Sequence, residues 1–235
     1  MTQEEFVRRC RDLHIDLDAH QLEQFETYRK LLSEWNEKMN LTAITEPGEV
    51  YEKHFYDSVA PFAGLQFETF CDVGTGAGFP GIPVKICFPK TRLVLVEPLK
   101  KRCRFLEEVV SQLGLCDVEI LSVRAEDLNL SWRESFDVVT ARAVARLPIL
   151  LELLAPLVKT GGTVVALKGK AGLEELAEAE KAVGILGLKQ PQVEKLEEEE
   201  GTRINLYFEK EKPTSARYPR NYGQIKKKPL GGSNG

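Results

Sequence analysis

Apolar residues in the first quarter of the chain recur every three or four positions, which is the spacing of helices that bury one face. Thr2 and Glu5 match a capping box at the start of a first helix. Asp18 precedes a second apolar series that runs from Leu22 to Met39, and a shorter third series follows it. The pattern predicts a helical N-terminal part, residues 1–66, without an evident catalytic group.

From Phe67 onward, short apolar runs alternate with stretches of helical periodicity, which is typical of strands joined by helices in a largely parallel sheet. The last two runs face each other across an acidic turn at residues 197–201 and predict an antiparallel hairpin. The predicted strands are residues 67–73, 92–96, 117–121, 136–140, 163–167, 192–196 and 203–208. The predicted helices between them are residues 82–87, 98–113, 147–158 and 172–186.

The first of these strands ends at Asp72 and leads into a loop with glycine at every second position, Gly74, Gly76 and Gly78. Glycine permits sharp turns and lets a ligand approach the main-chain N–H groups. Residues 76–81 also fit the G-x-G-x-x-G pattern of dinucleotide sites, which is a weak signal alone. The carboxylate lies where a dinucleotide would place its anionic pyrophosphate, and the two negative charges would repel each other. A cationic ligand such as S-adenosylmethionine is therefore favoured over a dinucleotide. A tight turn without a ligand is the alternative, but three glycines cost backbone entropy that a plain turn does not need.

Two further positions fit a nucleoside. Glu97 ends the second predicted strand, 19 residues beyond Gly78, where an acid binds ribose hydroxyls in this class of sheet. Ala125, next to Glu126 after the third strand, leaves room for an adenine ring. About seven strands with a terminal antiparallel hairpin form the layout of the class I S-adenosylmethionine-dependent methyltransferases, a Rossmann-like α/β fold, and differ from the layout of a dehydrogenase.

Residues 141–146 follow the fourth strand and should face the reacting centre, because ligands lie at the carboxyl ends of parallel strands. Arg142 is the candidate catalytic residue of this segment. A salt bridge from Arg142 to Glu126 or Asp137 is the structural alternative.

The net charge of the chain is −4, but it is unevenly distributed. Residues 212–235 contain six basic side chains and no acidic one, which leaves −10 on the rest of the chain. Lys100, Lys101, Arg102 and Arg104 crowd the start of a predicted helix, where cations are unfavourable for the helix dipole. A polyanionic partner would explain both groups, although a solvated face is the alternative at the helix.

Composition restricts the remaining classes of function. The five scattered cysteines indicate free thiols in a reducing compartment, and the three histidines have no metal-ligand spacing, so we expect no metal. No apolar run is long enough to span a membrane, and the N-terminus lacks a basic signal-peptide start. The sequence therefore predicts a cytoplasmic protein of three parts: a helical cap at 1–66, a catalytic domain at 67–211 and a basic flexible tail at 212–235.

Taken together, these residues resemble the bacterial 16S rRNA guanine-N7 methyltransferase G family, also called glucose-inhibited division protein B. The resemblance extends from about residue 5 to the basic tail. It rests on residues 72–81, Trp35-Asn36, Asn40-Leu41-Thr42, His54 with Asp57-Ser58, Lys101-Arg102, Phe105-Leu106, Thr140-Ala141-Arg142-Ala143 and Ala166-Leu167-Lys168-Gly169.

The resemblance implies transfer of a methyl group from S-adenosylmethionine to N7 of a guanine in 16S rRNA, near the decoding region. It implies cofactor contacts at Gly74, Phe79, Ala125, Glu126 and Arg142. Guanine N7 carries a free lone pair at neutral pH, so no general base is needed, and positioning can supply the catalysis. The cations expected to meet the RNA are Arg124, Arg146, Lys168, Lys100 and Lys101.

Other classes of function stay open. A methyltransferase that acts on a small molecule or a protein is the main alternative, but it would not need a basic rim or tail. A cofactor-binding module without catalysis would not need the open segment after the fourth strand. An NAD-dependent dehydrogenase would need room for a second catalytic domain, which this length does not leave.

Overall fold

The computed structural model describes residues 1–128, 130–142, 144–198 and 201–231. Seven strands form one mixed sheet in the order β3-β2-β1-β4-β5-β7-β6. The pairs β2–β3, β1–β4 and β4–β5 are parallel, and β5–β7 and β6–β7 are antiparallel. This confirms the predicted fold class. The strands are β1 Thr69–Val73, β2 Arg92–Val96, β3 Val118–Leu121, β4 Phe136–Arg142, β5 Val158–Lys168, β6 Gln192–Glu198 and β7 Gly201–Glu209.

The four helices predicted between the strands begin within two residues of the predicted positions, but the one predicted at 147–158 ends at Leu154. The α-helices are α1 Gln3–Asp12, α2 Ala19–Met39, α3 Pro47–Glu49, α4 Asp57–Val59, α5 Gly81–Cys87, α6 Lys100–Gln112, α7 Leu147–Leu154, α8 Gly172–Ile185 and α9 Tyr222–Lys227. A π-helical segment, Val50–Tyr56, connects α3 to α4. Short 3-10 turns lie at Ala60–Phe62, Ala125–Asp127 and Leu130–Trp132. In the described part of the chain, no helix has the length and apolar character needed to cross a membrane.

The chain divides into two compact units, one of Met1–Glu68 with Thr75–Ser122 and one of Thr69–Gly74 with Val123–Gly235. These bounds differ from the three parts expected from the sequence, and that three-part division stays a prediction. The chain passes between the units within the glycine loop, directly after Gly74.

In the first unit, the N-terminal helices bury an aromatic core. Phe25 packs against Phe6 and Phe55, with ring centroids 4.9 and 5.0 Å apart. The capping box at the start of α1 is confirmed, since the N–H of Glu5 donates to Thr2 Oγ1 and the N–H of Thr2 donates to a carboxylate oxygen of Glu5. Burial of these rings, at roughly 25 cal/mol per Å² of apolar surface, is what holds the short helices together.

In the second unit, two strands are longer than predicted. β4 runs to Arg142 rather than ending at 140, because Ala141 and Arg142 stay paired with Ala166 and Leu167 of β5. β5 begins at Val158 rather than 163, and its pairing with β4 shifts register between Phe136 and Val138. Arg142 therefore leaves the sheet from a paired strand end, which holds its backbone more firmly than a loop would.

The basic segment after residue 211 differs from the predicted flexible tail over the part described, up to Gly231. Thr214 and Ile225 are buried, and α9 forms within the segment. Arg220 forms an ion pair with Glu152, whose side chain is fully buried in α7. A buried carboxylate needs a charged or hydrogen-bonding partner, and Arg220 meets that need.

Candidate functional site

The glycine loop has the backbone that its composition predicts. Gly74, Gly76 and Gly78 have φ of +70°, +62° and +98°, a region that side chains disfavour. A Cβ on Gly78 would lie 2.6 Å from both Ile82 Cδ1 and the Tyr28 hydroxyl. A Cβ on Gly76 would meet nothing closer than Arg102 Nη1, at 3.9 Å. Gly78 is thus required by packing, whereas Gly76 turns the backbone beside open space.

Glu97 holds this loop by hydrogen bonds that the sequence did not predict. Its side chain is 2% exposed, and its two carboxylate oxygens accept hydrogen bonds from the N–H groups of Gly76, at 3.0 Å, and Leu99, at 2.9 Å. Arg102 Nη1 lies 3.7 Å from the same carboxylate. An ionised carboxylate has about four acceptor sites, so Glu97 can hold the loop and still accept ribose hydroxyls.

Arg102 is thereby separated from the rest of its basic cluster. It is half-buried beside Glu97, whereas Lys100 and Lys101 are exposed in the first turn of α6. The structure provides no side-chain cap at this helix start, where Leu99 is the preceding residue. Of the cluster, Lys100, Lys101 and Arg104 are therefore the exposed cations that solvent, or an anion, can reach.

An aromatic stack that the sequence did not predict supports the other side of the loop. The His54 and Phe79 rings are stacked at 4.4 Å with 12° between their planes, and Tyr28 stacks on Phe79 at 5.4 Å. The Tyr28 hydroxyl donates to the carbonyl of Ala77, and His54 Nε2 lies 2.7 Å from Thr42 Oγ1. In the sequence, the Asn40-Leu41-Thr42 and His54 motifs were the only signal for the contact between Thr42 and His54. Phe79, expected to touch the cofactor, is 5% exposed here.

The second unit contributes Asp72 and Gly74 at the end of β1. Asp72 is fully buried and is paired in register with Thr140 of β4. A Cβ on Gly74 would lie 2.6 Å from Val144 Cγ2. Gly74 is therefore needed both for its positive φ and for the close approach of Val144.

Ala125 and Glu126 form a 3-10 turn with Asp127 and are partly exposed. Arg124 precedes this turn in extended conformation and is exposed. The small side chain of Ala125, on a turn that solvent reaches, is compatible with the predicted adenine contact. The adenine contact itself stays a prediction.

An ion pair and its hydrogen bonds fix the segment after β4. Two of the cations predicted to face the RNA, Lys168 and Arg146, differ in their exposure there. Lys168 Nζ donates to the carbonyl of Ala145 and lies 2.7 Å from Glu175 Oε2. The same Glu175 oxygen accepts a hydrogen bond from the N–H of Leu147, at 2.7 Å. Lys168 is only 8% exposed, so the structure places it under the segment rather than on a rim. Ala143, part of the resemblance, lies outside the described residues.

Arg146, in contrast, is exposed. Its guanidinium pairs with Glu178 Oε1 at 2.5 Å, and this hydrogen bond raises the pKa of Arg146 above its usual value. Asp137, one of the structural partners considered for Arg142, accepts hydrogen bonds from Thr69 and pairs with Lys159. Arg142 itself is half-buried at the end of β4.

Cys71, the cysteine next to Asp72, does not supply a nucleophile to this region. All five are free, and four of them are buried. Burial raises the pKa of Cys71, the neighbour of Asp72, well above its ordinary value. That thiol is therefore neutral at physiological pH, and a neutral thiol is a poor nucleophile.

The loop fits S-adenosylmethionine by two observations. Its glycine backbone is turned beside open space at Gly76, and Glu97, with spare acceptor sites, is fixed against it. These are the features that a nucleoside with a vicinal diol needs, since carboxylates accept hydrogen bonds from both hydroxyls.

Comparison with known proteins places the chain in one family. The model of the rRNA small subunit methyltransferase G family matches residues 21–204. A ribosomal RNA small subunit methyltransferase G from Geobacillus thermodenitrificans is 52% identical over 92% of this chain and 94% of the relative. One from Staphylococcus aureus (strain JH9) is 48% identical over 98% of this chain and 99% of the relative.

A solved structure supports the fold alone. The SAM-dependent methyltransferase from Aquifex aeolicus is 20% identical, with a TM-score of 0.55, and the match covers 72% of this chain and 96% of that one. The family match over most of the sequence, together with relatives of about 50% identity over nearly its full length, shows that this chain belongs to the rRNA small subunit methyltransferase G family.

Proposed function

We propose that this protein transfers the methyl group of S-adenosylmethionine to N7 of a specific guanine in 16S ribosomal RNA. The observation that carries the proposal is the glycine loop held by Glu97 through the N–H of Gly76, in a chain of this family. A chain that only stored or carried a nucleotide would not need the exposed cations that accompany this loop.

The cofactor contacts are proposed at the residues that the sequence indicated. Gly76 and Gly78 turn the loop backbone, Glu97 accepts the ribose hydroxyls, and Phe79 packs beside the loop. Asp72 lies in β1, Gly74 directly follows that strand, and Ala125 and Glu126 form the turn proposed for adenine. When bound, S-adenosylmethionine supplies an electrophilic methyl group on a sulfonium sulfur.

The chain's part in the chemistry is to position the acceptor. Guanine N7 has a free lone pair at neutral pH, so no side chain has to remove a proton. Accurate placement of two reactants can contribute ~7–11 kcal/mol in the best cases. We assign this role to Arg142, whose backbone is fixed by its pairing with Leu167 and whose guanidinium suits guanine O6. Arg142 also carries the proposed cofactor contact.

The RNA contacts are assigned to exposed cations. Arg124, Arg146, Lys100 and Lys101 are exposed and attract phosphate. Lys168, the fifth cation predicted there, acts instead by fixing the carbonyl of Ala145, since its side chain is largely covered and paired with Glu175. We propose 16S rRNA, within the small ribosomal subunit or its assembly intermediate, as the partner, and the cytoplasm as the compartment, which the free cysteines support.

The test is methyl transfer from labelled S-adenosylmethionine to 16S rRNA and to small subunits, with the modified base mapped afterwards. We expect label at N7 of one guanine. Arg142→Met should lower kcat by about 100-fold, a positioning loss of roughly 3 kcal/mol, while leaving the melting temperature close to that of the wild type. Label found only in a small molecule or a protein, or binding of NAD in place of S-adenosylmethionine, would contradict the proposal.

A further inference from the structure

The basic C-terminal segment contains two kinds of cation, and the first kind anchors it. Arg220 makes a two-pronged contact with Glu152 of α7, through Nε at 2.8 Å and Nη2 at 2.7 Å, and its main-chain N–H donates to the same carboxylate. Glu152 is fully buried. This arginine is therefore committed to the protein and is not available to a partner.

A second anchor lies just before it. The Arg133 guanidinium donates to the carbonyls of Ser215, at 2.9 Å, and Tyr218, at 2.8 Å, and also to that of Thr214. The hydroxyl of Thr214 accepts a hydrogen bond from the buried Lys210. Residues 214–220 are thus fixed within the second unit by hydrogen bonds to Arg133, to the buried Lys210 and to the buried Glu152.

The second kind of cation points into solvent. Arg217, Lys226, Lys227 and Lys228 are all exposed, and the sequence has no acidic residue between position 212 and its end. Arg220 Nη2 also donates to the carbonyl of Lys228, at 3.0 Å, so the three lysines are carried on the anchored segment. The last turn of a helix favours cations by ~0.3–1 kcal/mol each, but that effect does not explain Lys228 or Arg217, which lie outside α9.

The anchored segment leads to the residues that follow β4. Pro229 and Gly231 line one cavity, about 690 Å³ in volume, with Arg146 and Pro148. A Cβ on Gly231 would lie 2.8 Å from the carbonyl oxygen of Glu178, the residue whose carboxylate pairs with Arg146. Three residues span at most ~11 Å, so Lys228 starts within that reach of Gly231. Lys228 is therefore connected by a short stretch of chain to the cavity that Arg146 also lines.

We propose that the face formed by Arg217 and Lys226–Lys228 is a docking surface for the phosphate backbone of the RNA substrate, continuous with Arg146. The inference rests on the proposed function. Outside residues 212–235 the chain carries a net charge of −10, so nonspecific attraction to a polyanion is weak elsewhere, and a fixed cluster of like charges gains most from phosphates. RNA would be captured by this face and directed towards Arg146.

The test compares two triple variants of equal charge change in the full chain. Lys226→Gln, Lys227→Gln and Lys228→Gln together remove the docking charges. Lys159→Gln, Lys189→Gln and Lys195→Gln remove three exposed lysines that each pair with a carboxylate in the same unit. The readouts are the Kd for 16S rRNA at several salt concentrations and the Kd for S-adenosylmethionine.

We expect the docking variant to bind RNA roughly tenfold more weakly at low salt and to reduce the slope of log Kd against log salt by about 2 to 3, since each phosphate contact contributes ~0.7–0.9. Its affinity for S-adenosylmethionine and its melting temperature should not change. Arg217→Gln alone should reduce the slope by less than 1. The control variant should retain the RNA affinity and slope of the wild type.

An unchanged RNA slope in the docking variant, or an equal loss in the control variant, would overturn this inference and leave the proposed function standing. A wild-type protein that neither binds nor methylates 16S rRNA would instead reject the proposed function, and this inference with it. The two failures are therefore separated by the wild-type measurement.

Discussion

The ammonium group of Lys168 lies 2.7 Å from Oε2 of Glu175, with the two side chains 8% and 13% exposed. The pair also holds backbone, because Lys168 donates to the carbonyl of Ala145 and Glu175 accepts from the N–H of Leu147. Both ends of the short connection to α7 are thereby held by one largely covered ion pair. The position of Arg146, between those two residues, depends on it.

Lys168→Met should destabilise the protein by about 3 kcal/mol, because removing one partner of a buried pair leaves the other charge uncompensated. Urea unfolding measures the change. Arg146→Gln is the matched substitution on the same segment, and it should leave the unfolding midpoint nearly unchanged, since its pair with Glu178 is largely exposed. It should instead weaken RNA binding. Equal losses of stability in the two variants would show that Lys168 contributes no more to the fold than Arg146 does.

The sequence predicted the main elements well because their signals are local. The glycine loop and the capping box of Thr2 depend on residue type and spacing, and both were found where expected. Glu97 directly follows β2, as its spacing indicated, and its ribose contact stays a prediction. Residue type and spacing could not show that the Lys168 side chain is covered and the Arg146 side chain is exposed. Which of two lysines or arginines is buried depends on a carboxylate that arrives from another helix, here Glu175 of α8, and spacing does not encode that contact.

The anchoring of the basic segment was missed for the same reason. Glu152 lies in a strongly apolar helix, where a single buried acid signals a partner somewhere in the chain, but 68 residues separate it from Arg220. The stack of His54 on Phe79 likewise joins two distant motifs that sequence spacing leaves unrelated. Tertiary contacts between distant charged or aromatic groups are thus the part that pattern analysis could not supply.

Gly74→Ala should greatly weaken binding of S-adenosylmethionine. The new Cβ would lie 2.6 Å from Val144 Cγ2, on a backbone with φ of +70°, so the loop has to move. The left-handed conformation alone costs roughly 1–2 kcal/mol for a residue with a side chain. Titration calorimetry with S-adenosylmethionine should show at least a tenfold rise in Kd, which corresponds to about 1.4 kcal/mol.

Gly184→Ala is the control for this substitution. Gly184 lies in α8, where an added Cβ meets nothing within 4 Å, so alanine should leave cofactor affinity unchanged and raise stability by roughly 0.5–1 kcal/mol. Wild-type affinity in Gly74→Ala would refute the assignment of this loop to the cofactor.

Thr42→Val should loosen the aromatic support of the glycine loop. The hydroxyl of Thr42 lies 2.7 Å from His54 Nε2 and also accepts a hydrogen bond from the N–H of Ile44. Valine keeps the shape but leaves a nitrogen of a buried imidazole without this partner, which costs about 1–2 kcal/mol. We expect lower stability in urea and a rise in the Kd for S-adenosylmethionine, because His54 stacks on Phe79 of the loop.

Thr45→Val provides the comparison, since Thr45 is exposed three residues further on. It should change neither quantity. A Thr42→Val variant that loses stability but keeps full cofactor affinity would show that the stack supports the fold and not the loop.

Lys210 should make stability depend on pH above 8. Its side chain is fully buried, and burial lowers its pKa from 10.5 to about 8, although Glu134 opposes the shift and Arg133 adds to it. Between pH 8 and 10.5 the unfolded chain therefore binds more protons at this position than the folded one, so the free energy of unfolding rises with pH in that window. The gain in the free energy of unfolding from this group should be on the order of 3 kcal/mol across that window.

The measurement is urea unfolding of the wild type and of Lys210→Met at pH 7.5, 8.5 and 9.5. Other groups titrate in both proteins, so the difference between them isolates Lys210. The wild type should gain stability relative to the variant as pH rises, because only the wild type loses a buried charge. Methionine keeps the length and the apolar stem of the lysine side chain, which should keep the variant folded. A constant difference across the three pH values would mean that Lys210 stays charged in the folded protein, held by Glu134.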